Sequence, residues 1–454
     1  MHSVATTEKM QTLVVGLGAT GLSVARFLAR QGIHFAVADS RTMPPGLEQL
    51  RTEQPGVACH LGPFDGALFS RFEQLVVSPG VPLGEPAIRQ AAAAGARITG
   101  DIALFRAQTE GALVAVTGSN GKSTVTTLIG EMARRAGCRV VVGGNLGTPA
   151  LELLEQGAAE VVVLELSSFQ LELVEQLDAE VALLLNLSED HMDRYADLAS
   201  YRAAKRRIFN GVRQVVTNSD DPETRMDGAT VRRWSYRLRR PASAQEFGLI
   251  EQGGRRYLAQ GDEPWVATDA LKLRGLHNHG NMLAALAAGS AIGLPRAAMV
   301  EALLEFGGLP HRCQWIDRID GVDYVDDSKA TNVGATVAAI RGLAADLAGK
   351  LVLILGGVGK GADFSGLREP VRNHARAVVL MGVDGGEIAA ALDPVTPSVQ
   401  VQGIDEAVRQ ARDLAQTGDC VLLAPACASF DQFSGFAERG AAFQRAVREL
   451  AACH

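Results

Sequence analysis

The sequence predicts an α/β protein built from three consecutive domains, residues 1–100, 101–308 and 309–454. Two observations predict this fold class. Short apolar runs that suit buried strands alternate with helical stretches along the chain, which is typical of parallel sheets covered by helices. In each region, at least one apolar run leads directly into a glycine-rich or polar loop, and ligands of parallel α/β sheets bind at the carboxyl ends of strands.

The first region contains a glycine pattern typical of Rossmann-like domains. An apolar strand leads into GLGATG at residues 16–21 and then into a helix, and a second strand, 34–38, ends at Asp39. The glycines permit a tight turn against a diphosphate, and the acid can accept a ribose hydroxyl. The pattern fits NAD and other diphosphates alike. Residues 78–82, where two prolines flank a glycine, form a second rigid loop at a strand end.

The second region contains TGSNGKST at residues 117–124, directly after the apolar strand 113–116. Backbone N–H groups of such a turn and helix start bind phosphate oxygens, and Lys122 adds a positive charge. The hydroxyl after the lysine can ligate Mg²⁺. Only two residues separate Gly118 from Gly121, whereas the common pattern has about four. We interpret this region as a P-loop ATPase-like domain that binds ATP.

Further polar residues follow the strands of the second region. Glu165 lies near the end of the apolar strand 161–166, and a buried carboxylate needs a cation or a salt bridge, of which we favour Mg²⁺. Asn145 could reach a phosphate or a metal, and His191 could ligate a second metal. Lys205 lies among arginines in a helical stretch, and its spacing does not single it out.

Two asparagines, Asn278 and Asn281, precede an alanine-rich helix predicted at 282–292. They could cap this helix or bind an adenine edge.

The third region is predicted to be a second Rossmann-like, parallel α/β domain. Three polar loops follow its strands, at residues 326–332, 356–364 and 424–433. The loop at 356–364 is similar to a phosphate loop but has no hydroxyl after Lys360, so an anionic substrate group suits it better than nucleotide phosphates.

Composition excludes several classes of protein. The 454 residues are 47% hydrophobic and 21% charged with a net charge of −7, which argues against nucleic acid as the main partner. No apolar run reaches the roughly 18–20 residues that cross a bilayer, and no export signal is recognisable at the N-terminus. The six scattered cysteines form no CxxC pair, so we expect free thiols and a cytoplasmic location.

A diphosphate loop, an ATP–Mg²⁺ site and an anion-binding rim together indicate the ATP-dependent joining of a nucleotide-linked molecule to a small anion. Over essentially its whole length, the chain resembles the Mur ligases of peptidoglycan synthesis. The motifs that carry the resemblance are TGSNGKST (117–124), LELSSFQLE (164–172), NLSEDHMDRY (186–195), YRAAKRRIF (201–209), DDSKATN (326–332), GGVGKGADF (356–364) and PACASFDQFSGFAERG (425–440). The last three favour the branch of the family that adds D-glutamate.

The resemblance implies a two-step reaction. ATP phosphorylates the substrate carboxylate to an acyl phosphate, and the D-glutamate amine then displaces phosphate. It also implies UDP-N-acetylmuramoyl-L-alanine as the nucleotide-linked substrate, so the first loop would hold UDP despite its NAD-like pattern. ATP and two Mg²⁺ are the implied cofactors, and cell-wall biogenesis, cell shape and cell division are the implied context.

The resemblance assigns residues to five overlapping sets. The ATP-binding set is Gly118, Ser119, Asn120, Gly121, Lys122, Ser123, Thr124, Asn278, Asn281, Arg312 and Asp327. The UDP-substrate set is Ala19, Thr20, Asp39, Arg41, Ser78, Gly80, Asn145 and Gln170. The D-glutamate set is Lys329, Thr331, Lys360, Ser429 and Phe436. The metal set is Ser123, Thr124, Glu165, His191 and Lys205, the last as a carbamate, and the catalytic set is Lys122, Glu165, His191 and Lys205.

We expect a monomer without membrane insertion. Three alternative functions stay open at this level. A ligase similar to folylpolyglutamate synthetase would share the ATP loop but has no obvious use for the first domain. An NAD-dependent oxidoreductase would rest on the first glycine motif alone. A nucleotide-binding regulator would form no product.

Overall fold

The computed structural model describes residues 10–188, 194–226, 231–273, 275–344, 347–359, 361–393 and 396–452. The chain divides into two compact units. The first comprises Met1–Tyr236, Gln245–Phe247 and Ala284–Met299, and the second comprises Arg237–Ala244, Gly248–Leu283 and Val300–His454. The domain limits expected after residues 100 and 308 stay predictions.

The N-terminal part of the first unit alternates strands and helices. Its elements are β1 (Met10–Val15), α1 (Ala19–Arg30), β2 (Phe35–Asp39), α2 (Leu47–Glu53), β3 (Cys59–Leu61), α3 (Gly66–Phe69), β4 (Phe72–Val77), α4 (Pro86–Ala93), β5 (Arg97–Thr99) and α5 (Asp101–Arg106). The strands form a parallel sheet in the order β3-β2-β1-β4-β5. Val15 lies opposite Ala38 on one side and Val77 on the other. The loops after β1, β2 and β4 therefore meet at one edge, where the strand order reverses and ligands bind in open sheets.

The rest of the first unit is built around a second parallel sheet. Its elements are β6 (Ala112–Thr117), α6 (Lys122–Arg135), β7 (Val140–Gly144), α7 (Ala150–Leu153), β8 (Val161–Glu165), α8 (Ser168–Leu171), β9 (Val181–Leu184), α9 (Leu198–Arg206), β10 (Gln214–Asn218), β11 (Arg232–Tyr236) and the start of β12 (Glu246–Gln252). The strands run in the order β12-β11-β10-β9-β6-β8-β7. Thr117 lies opposite Leu184, and Val116 lies opposite Glu165. This register brings the ends of β8 and β9 to either side of the phosphate loop.

The remaining elements include a hairpin and a third sheet. They are β13 (Arg255–Gln260), β14 (Glu263–Ala267), α10 (Leu276–Ala291), α11 (Arg296–Glu305), β15 (Gln314–Ile319), β16 (Val322–Asp326), α12 (Val333–Ala344), β17 (Leu351–Gly356), α13 (Arg368–His374), β18 (Ala375–Met381), α14 (Gly385–Leu392), β19 (Ser398–Gln400), α15 (Ile404–Leu414), β20 (Cys420–Leu423) and α16 (Phe436–Ala452). The third sheet has the order β15-β16-β20-β17-β18-β19. Its strands are parallel except β15, which pairs antiparallel with β16 and corrects the expectation of a purely parallel sheet.

The sheets bury their apolar strands under helices on both faces. One continuous cluster of buried side chains joins the helices of the first two sheets, and two further clusters cover the faces of the third sheet. None of the helices in the described ranges combines the length and the apolar character that would let it cross a bilayer.

Two element boundaries differ from the sequence-based expectation. Helix α10 begins at Leu276, although Gly280 and two asparagines favoured a loop up to residue 281. Gly280 is buried, so tertiary packing outweighs the low helix propensity of these residues. Strand β7 extends through Gly143 and Gly144, beyond the strand predicted at 139–142. A Cβ at Gly144 would lie 2.4 Å from the Glu165 carbonyl oxygen, so β7 and β8 approach closely at this point.

The close approach of α1 to β1 generates a stability prediction. A Cβ at Gly21 would lie 1.9 Å from the Gly16 carbonyl oxygen, whereas a Cβ at Gly18 would meet no heavy atom within 4 Å. We expect Gly21→Ala to lower the melting temperature of the full chain by about 4 °C or more, because the backbone must shift. Gly18→Ala, at φ −93°, is the matched control and should melt like the wild type. Equal melting temperatures for both variants in calorimetry would contradict this packing.

Candidate functional site

The predicted phosphate loop, residues 118–121, joins the end of β6 to the start of α6. Gly118 and Gly121 have φ angles of +156° and +83°, which side-chain-bearing residues rarely adopt. The N-cap residue of α6 is Gly121, which has no side chain to cap the helix. The amides at this helix start are therefore suited to an anion such as a phosphate.

Asn186 holds this loop from the end of β9. Its backbone carbonyl accepts a hydrogen bond from the Ser119 N–H at 3.0 Å. Its side-chain oxygen accepts from the Asn120 N–H at 2.8 Å, and its amide donates to the Asn120 carbonyl at 3.0 Å. Asn186 was not assigned a role from the sequence, although it is the first residue of the motif at 186–195.

Two lysines donate to carbonyl groups of the phosphate loop. The Lys122 ammonium donates to the Gly118 and Ser119 carbonyls at 3.0 and 2.9 Å. The Lys205 ammonium, from α9, donates to the same Gly118 carbonyl at 2.9 Å and lies 4.7 Å from the Tyr201 ring centroid. Lys205 is only 2% exposed. The fold therefore brings together two cations that lie 83 residues apart, the difference between 205 and 122.

The carboxylate of Glu165 lies beside the start of α6. It is 3% exposed, accepts a hydrogen bond from the Ser123 hydroxyl at 2.6 Å and accepts a second from the Asn145 amide at 2.8 Å. Both donors are neutral, and the described residues give Glu165 no ion pair with a basic side chain. A buried carboxylate in such surroundings is stabilised by a bound cation.

These residues fit a divalent cation that prefers oxygen ligands. A carboxylate and a hydroxyl next to a phosphate loop form a donor set that suits Mg²⁺. Thr124 is buried in the first turn of α6, next to Ser123. Within the described ranges, no three His, Cys, Asp or Glu side chains cluster as a metal site. His191, predicted to ligate a second metal, lies outside the described residues.

At the edge of the first sheet, Asp39 is held by charged and neutral donors. One carboxylate oxygen accepts from the Leu17 N–H at 2.7 Å, and the Arg41 guanidinium donates to both oxygens at 2.8 and 2.7 Å. Burial would raise the pKa of Asp39, but the hydrogen bonds from Arg41 and Leu17 outweigh it and hold the pKa below its usual value. Arg41 thus occupies both oxygens of the acid that a ribose would contact in a dinucleotide-binding domain.

The other predicted UDP-contacting residues of the first sheet lie at the same edge. The Ser78 hydroxyl donates to the Gly16 carbonyl at 2.8 Å, which ties the loop after β4 to the glycine motif. Gly80 is exposed, and Ala19 and Thr20 form the first turn of α1. This edge therefore presents a helix start and a glycine to solvent.

Gln170 has a structural environment that the motif did not reveal. Its side chain completes a capping box with Ser167 at the start of α8 and donates to the Asp101 carboxylate at 3.3 Å. Burial raises the pKa of Asp101 to about 6. Gln170 thus joins α8 to the first residue of α5.

In the second unit, the predicted D-glutamate residues follow strands of the third sheet. The Lys329 ammonium lies 4.1 Å from the centroid of the Phe436 ring, at the start of α16. Ser429 is buried in the loop after β20, and Thr331 follows Lys329 after β16. Lys360 lies outside the described residues.

Arg439 joins three of these loops and was not assigned from the sequence. It is 1% exposed and donates to the Ser328 hydroxyl at 3.0 Å and to the Ser328, Cys427 and Gly356 carbonyls at 2.9, 3.1 and 3.4 Å. Burial lowers its pKa to about 10, so it stays charged at neutral pH. Its position within the motif at 425–440 carried no signal for this contact.

The remaining predicted nucleotide residues also lie in the second unit. Asn278 and Asn281 are one turn apart in α10, with the Asn281 amide donating to the Asn278 side-chain oxygen at 3.2 Å, so neither caps the helix. Asp327 accepts from the Cys313 N–H at 3.1 Å, and burial raises its pKa to about 6 while the nearby charge of Arg312 lowers it. Their assignment to ATP stays a prediction.

Three family models match the chain in sequence order. They are described as Mur ligase MurD-like, N-terminal domain, over residues 10–100; Mur ligase middle domain, over 116–289; and Mur ligase, glutamate ligase domain, over 311–427. Together they match most of the chain.

Curated relatives match over nearly the full length. The UDP-N-acetylmuramoylalanine–D-glutamate ligase of Pseudomonas aeruginosa is 56% identical, with 97% of this chain and 98% of the relative covered. The protein of the same name from Pseudomonas putida is 55% identical, with 97% of each covered. Among solved structures, UDP-N-acetylmuramate-alanine ligase MurC from Thermotoga maritima matches with a TM-score of 0.57 at 19% identity, covering 98% of this chain and all of that one. That likeness supports the fold.

The hydrogen bonds of Asp39 predict a pH-dependent contribution to stability. Because its folded-state pKa is lowered, the stabilisation is fully present above the unfolded value of about 4 and is lost as pH falls through the folded value. Asp39→Asn should lower the unfolding free energy by about 2 kcal/mol at pH 7. The difference from wild type should shrink below about pH 4.

The matched control is Asp262→Asn, which removes an exposed ion pair with Arg240. We expect little change in stability at either pH. The measurement is chemical unfolding at pH 7 and pH 3. A difference between wild type and Asp39→Asn that stays constant across this range would contradict the assignment.

Proposed function

This chain belongs to the Mur ligase family, and from that premise we propose that it joins D-glutamate to UDP-N-acetylmuramoyl-L-alanine, using ATP, in peptidoglycan precursor synthesis. The observation that carries the proposal is the 56% identity to a relative of that name across 97% of the chain. A Mur ligase N-terminal domain over residues 10–100 also argues against an NAD-dependent oxidoreductase.

The geometry of the phosphate loop supports the first step. The substrate carboxylate attacks the γ-phosphorus of ATP, ADP leaves, and an acyl phosphate forms. The start of α6 and Lys122 bind the phosphates, because charge on the transferred phosphoryl group must be neutralised. Ser123 and Glu165 would hold Mg²⁺, which neutralises phosphate charge when bound.

A second cation is the finer part of the proposal. We place its ligands at His191 and at a carbamate on Lys205. A carbamate would convert a buried ammonium next to Gly118 into an anionic oxygen ligand. The buried position of Lys205 beside the phosphate loop supports this assignment.

The second step uses the amine of D-glutamate. The amine attacks the acyl carbonyl and gives a tetrahedral intermediate. This intermediate loses a proton from the nitrogen and expels phosphate with both electrons of the carbon–oxygen bond. We propose that D-glutamate binds at the edge of the third sheet, to Lys329, Thr331, Ser429, Phe436 and Lys360. A lysine suits a substrate carboxylate as a charge-assisted partner.

We propose a cytoplasmic location, which the free thiols of Cys59, Cys138, Cys313, Cys420 and Cys427 support. The monomeric state stays a prediction.

The decisive experiment is a panel of amino acid acceptors. Purified enzyme, ATP, Mg²⁺ and UDP-N-acetylmuramoyl-L-alanine are mixed with D-glutamate, L-glutamate, L-alanine or a diamino acid. We expect phosphate release with D-glutamate alone, together with a matching mass gain of the UDP sugar. Phosphate release with another acceptor would overturn the D-glutamate assignment, and no phosphate release with any acceptor would overturn the assignment as a ligase.

Removing the positive charge of Lys122 from the phosphate loop should abolish turnover. We expect Lys122→Ala to lower kcat by about 100-fold or more, because a preorganised charge on the phosphoryl group is lost. Arg134→Ala is the control, since Arg134 forms a surface ion pair with Glu131 in the last turn of the same helix. Near-normal turnover of Lys122→Ala in the phosphate-release assay would refute the ATP-site assignment.

A further inference from the structure

Arg194 connects the two sheets of the first unit at the loop after β4. Its side chain is 14% exposed. One terminal nitrogen donates to the Pro79 carbonyl at 2.6 Å, and the other lies 3.3 Å from the Val81 carbonyl. These two carbonyls flank Gly80, so a single guanidinium spans the part of the loop that faces solvent.

The same guanidinium is held from the side of α8. Its carbon atom lies 4.0 Å from the centroid of the Phe169 ring, and one nitrogen lies 3.4 Å from the Glu172 carboxylate. The planar fork of arginine can stack on an aromatic face while it donates in its own plane, which lysine cannot do. Arg194 therefore fixes the loop after β4 relative to α8.

The rest of the loop is held at Ser78, whose hydroxyl donates to the Gly16 carbonyl, and at Val81, which packs against the buried side chains of the first sheet. Pro79 and Pro82 have no N–H to donate, and Val81 donates back to the Ser78 carbonyl in a tight turn. Gly80 is exposed, and a Cβ built there would meet no heavy atom within 4 Å. The charged hydrogen bonds of Arg194 to the carbonyls on either side of Gly80 add to these contacts at the exposed part of the loop.

We propose that Arg194 is a positioning residue for the UDP-linked substrate. It orders the loop that carries Ser78 and Gly80 and sets that loop against α8, which carries Gln170. This inference rests on the proposed function, because those three residues are among the eight assigned to that substrate. In this role Arg194 acts through the loop backbone, to which it donates at the Pro79 and Val81 carbonyls.

The test separates substrate positioning from general stability. We expect Arg194→Ala to raise KM for UDP-N-acetylmuramoyl-L-alanine about tenfold, with KM for ATP changed less than about twofold, because charged hydrogen bonds to one loop are lost. Arg194→Lys should show most of the same increase, since a lysine cannot span both carbonyls. Arg207→Ala is the control, because Arg207 donates to the Val174 carbonyl and leaves the loop after β4 untouched.

Calorimetric titration with UDP-N-acetylmuramoyl-L-alanine separates a failure of the positioning role of Arg194 from a failure of the proposed function. The positioning role is supported if the substrate binds to the wild type and binds about tenfold more weakly to Arg194→Ala and Arg194→Lys, while their melting temperatures are unchanged. Equal affinity of wild type and variants overturns this inference alone. If Arg194→Ala is unstable, Arg194→Lys decides the question, and a parallel rise in both KM values assigns Arg194 to the fold and overturns its positioning role. Absence of binding to wild type overturns the proposed function and this inference with it.

Discussion

The buried carboxylate of Glu165 is the constraint on which the phosphate-loop region of the second sheet depends. A negative charge at the end of a buried strand is costly unless donors or a cation satisfy it. Ser123 at the start of α6 and Asn145 after β7 supply neutral hydrogen bonds, which tie both neighbouring segments to β8. Gly144 must be a glycine because its Cβ would meet the Glu165 backbone. What remains uncompensated is charge, and that suits a metal ion.

The same arrangement gathers polar loops at the ends of parallel strands in each sheet. In the first sheet, Asp39 at the end of β2 holds the Leu17 amide after β1, and Ser78 after β4 holds the Gly16 carbonyl. In the third sheet, the buried cation of Arg439 replaces the carboxylate as the organising charge and satisfies carbonyls of three loops. Each site thus has one buried charged group that orders its loops before any ligand binds.

Much of the fold was predictable because it depends on local pattern. Apolar runs such as 113–116 and 420–423 are buried strands, and TGSNGKST is a loop followed by a helix. The predictions failed where neighbours override local preference. Strand β15 is a polar edge strand that lacks an apolar run, and α10 begins six residues earlier than expected, at 276 rather than 282, because Gly280 is packed. The pattern of apolar residues along the sequence does not predict such tertiary contacts.

The sequence by itself determined the family, the phosphate loop and the strand ends at which ligands would bind, since all of these are encoded in contiguous residues. Only the tertiary structure decided the partners of Asn186, Arg194 and Lys205. Those partners lie 66, 115 and 87 residues away along the chain. Which distant backbone group a side chain meets depends on strand register and on how helices cover the sheet, and no local pattern of residue types specifies that geometry.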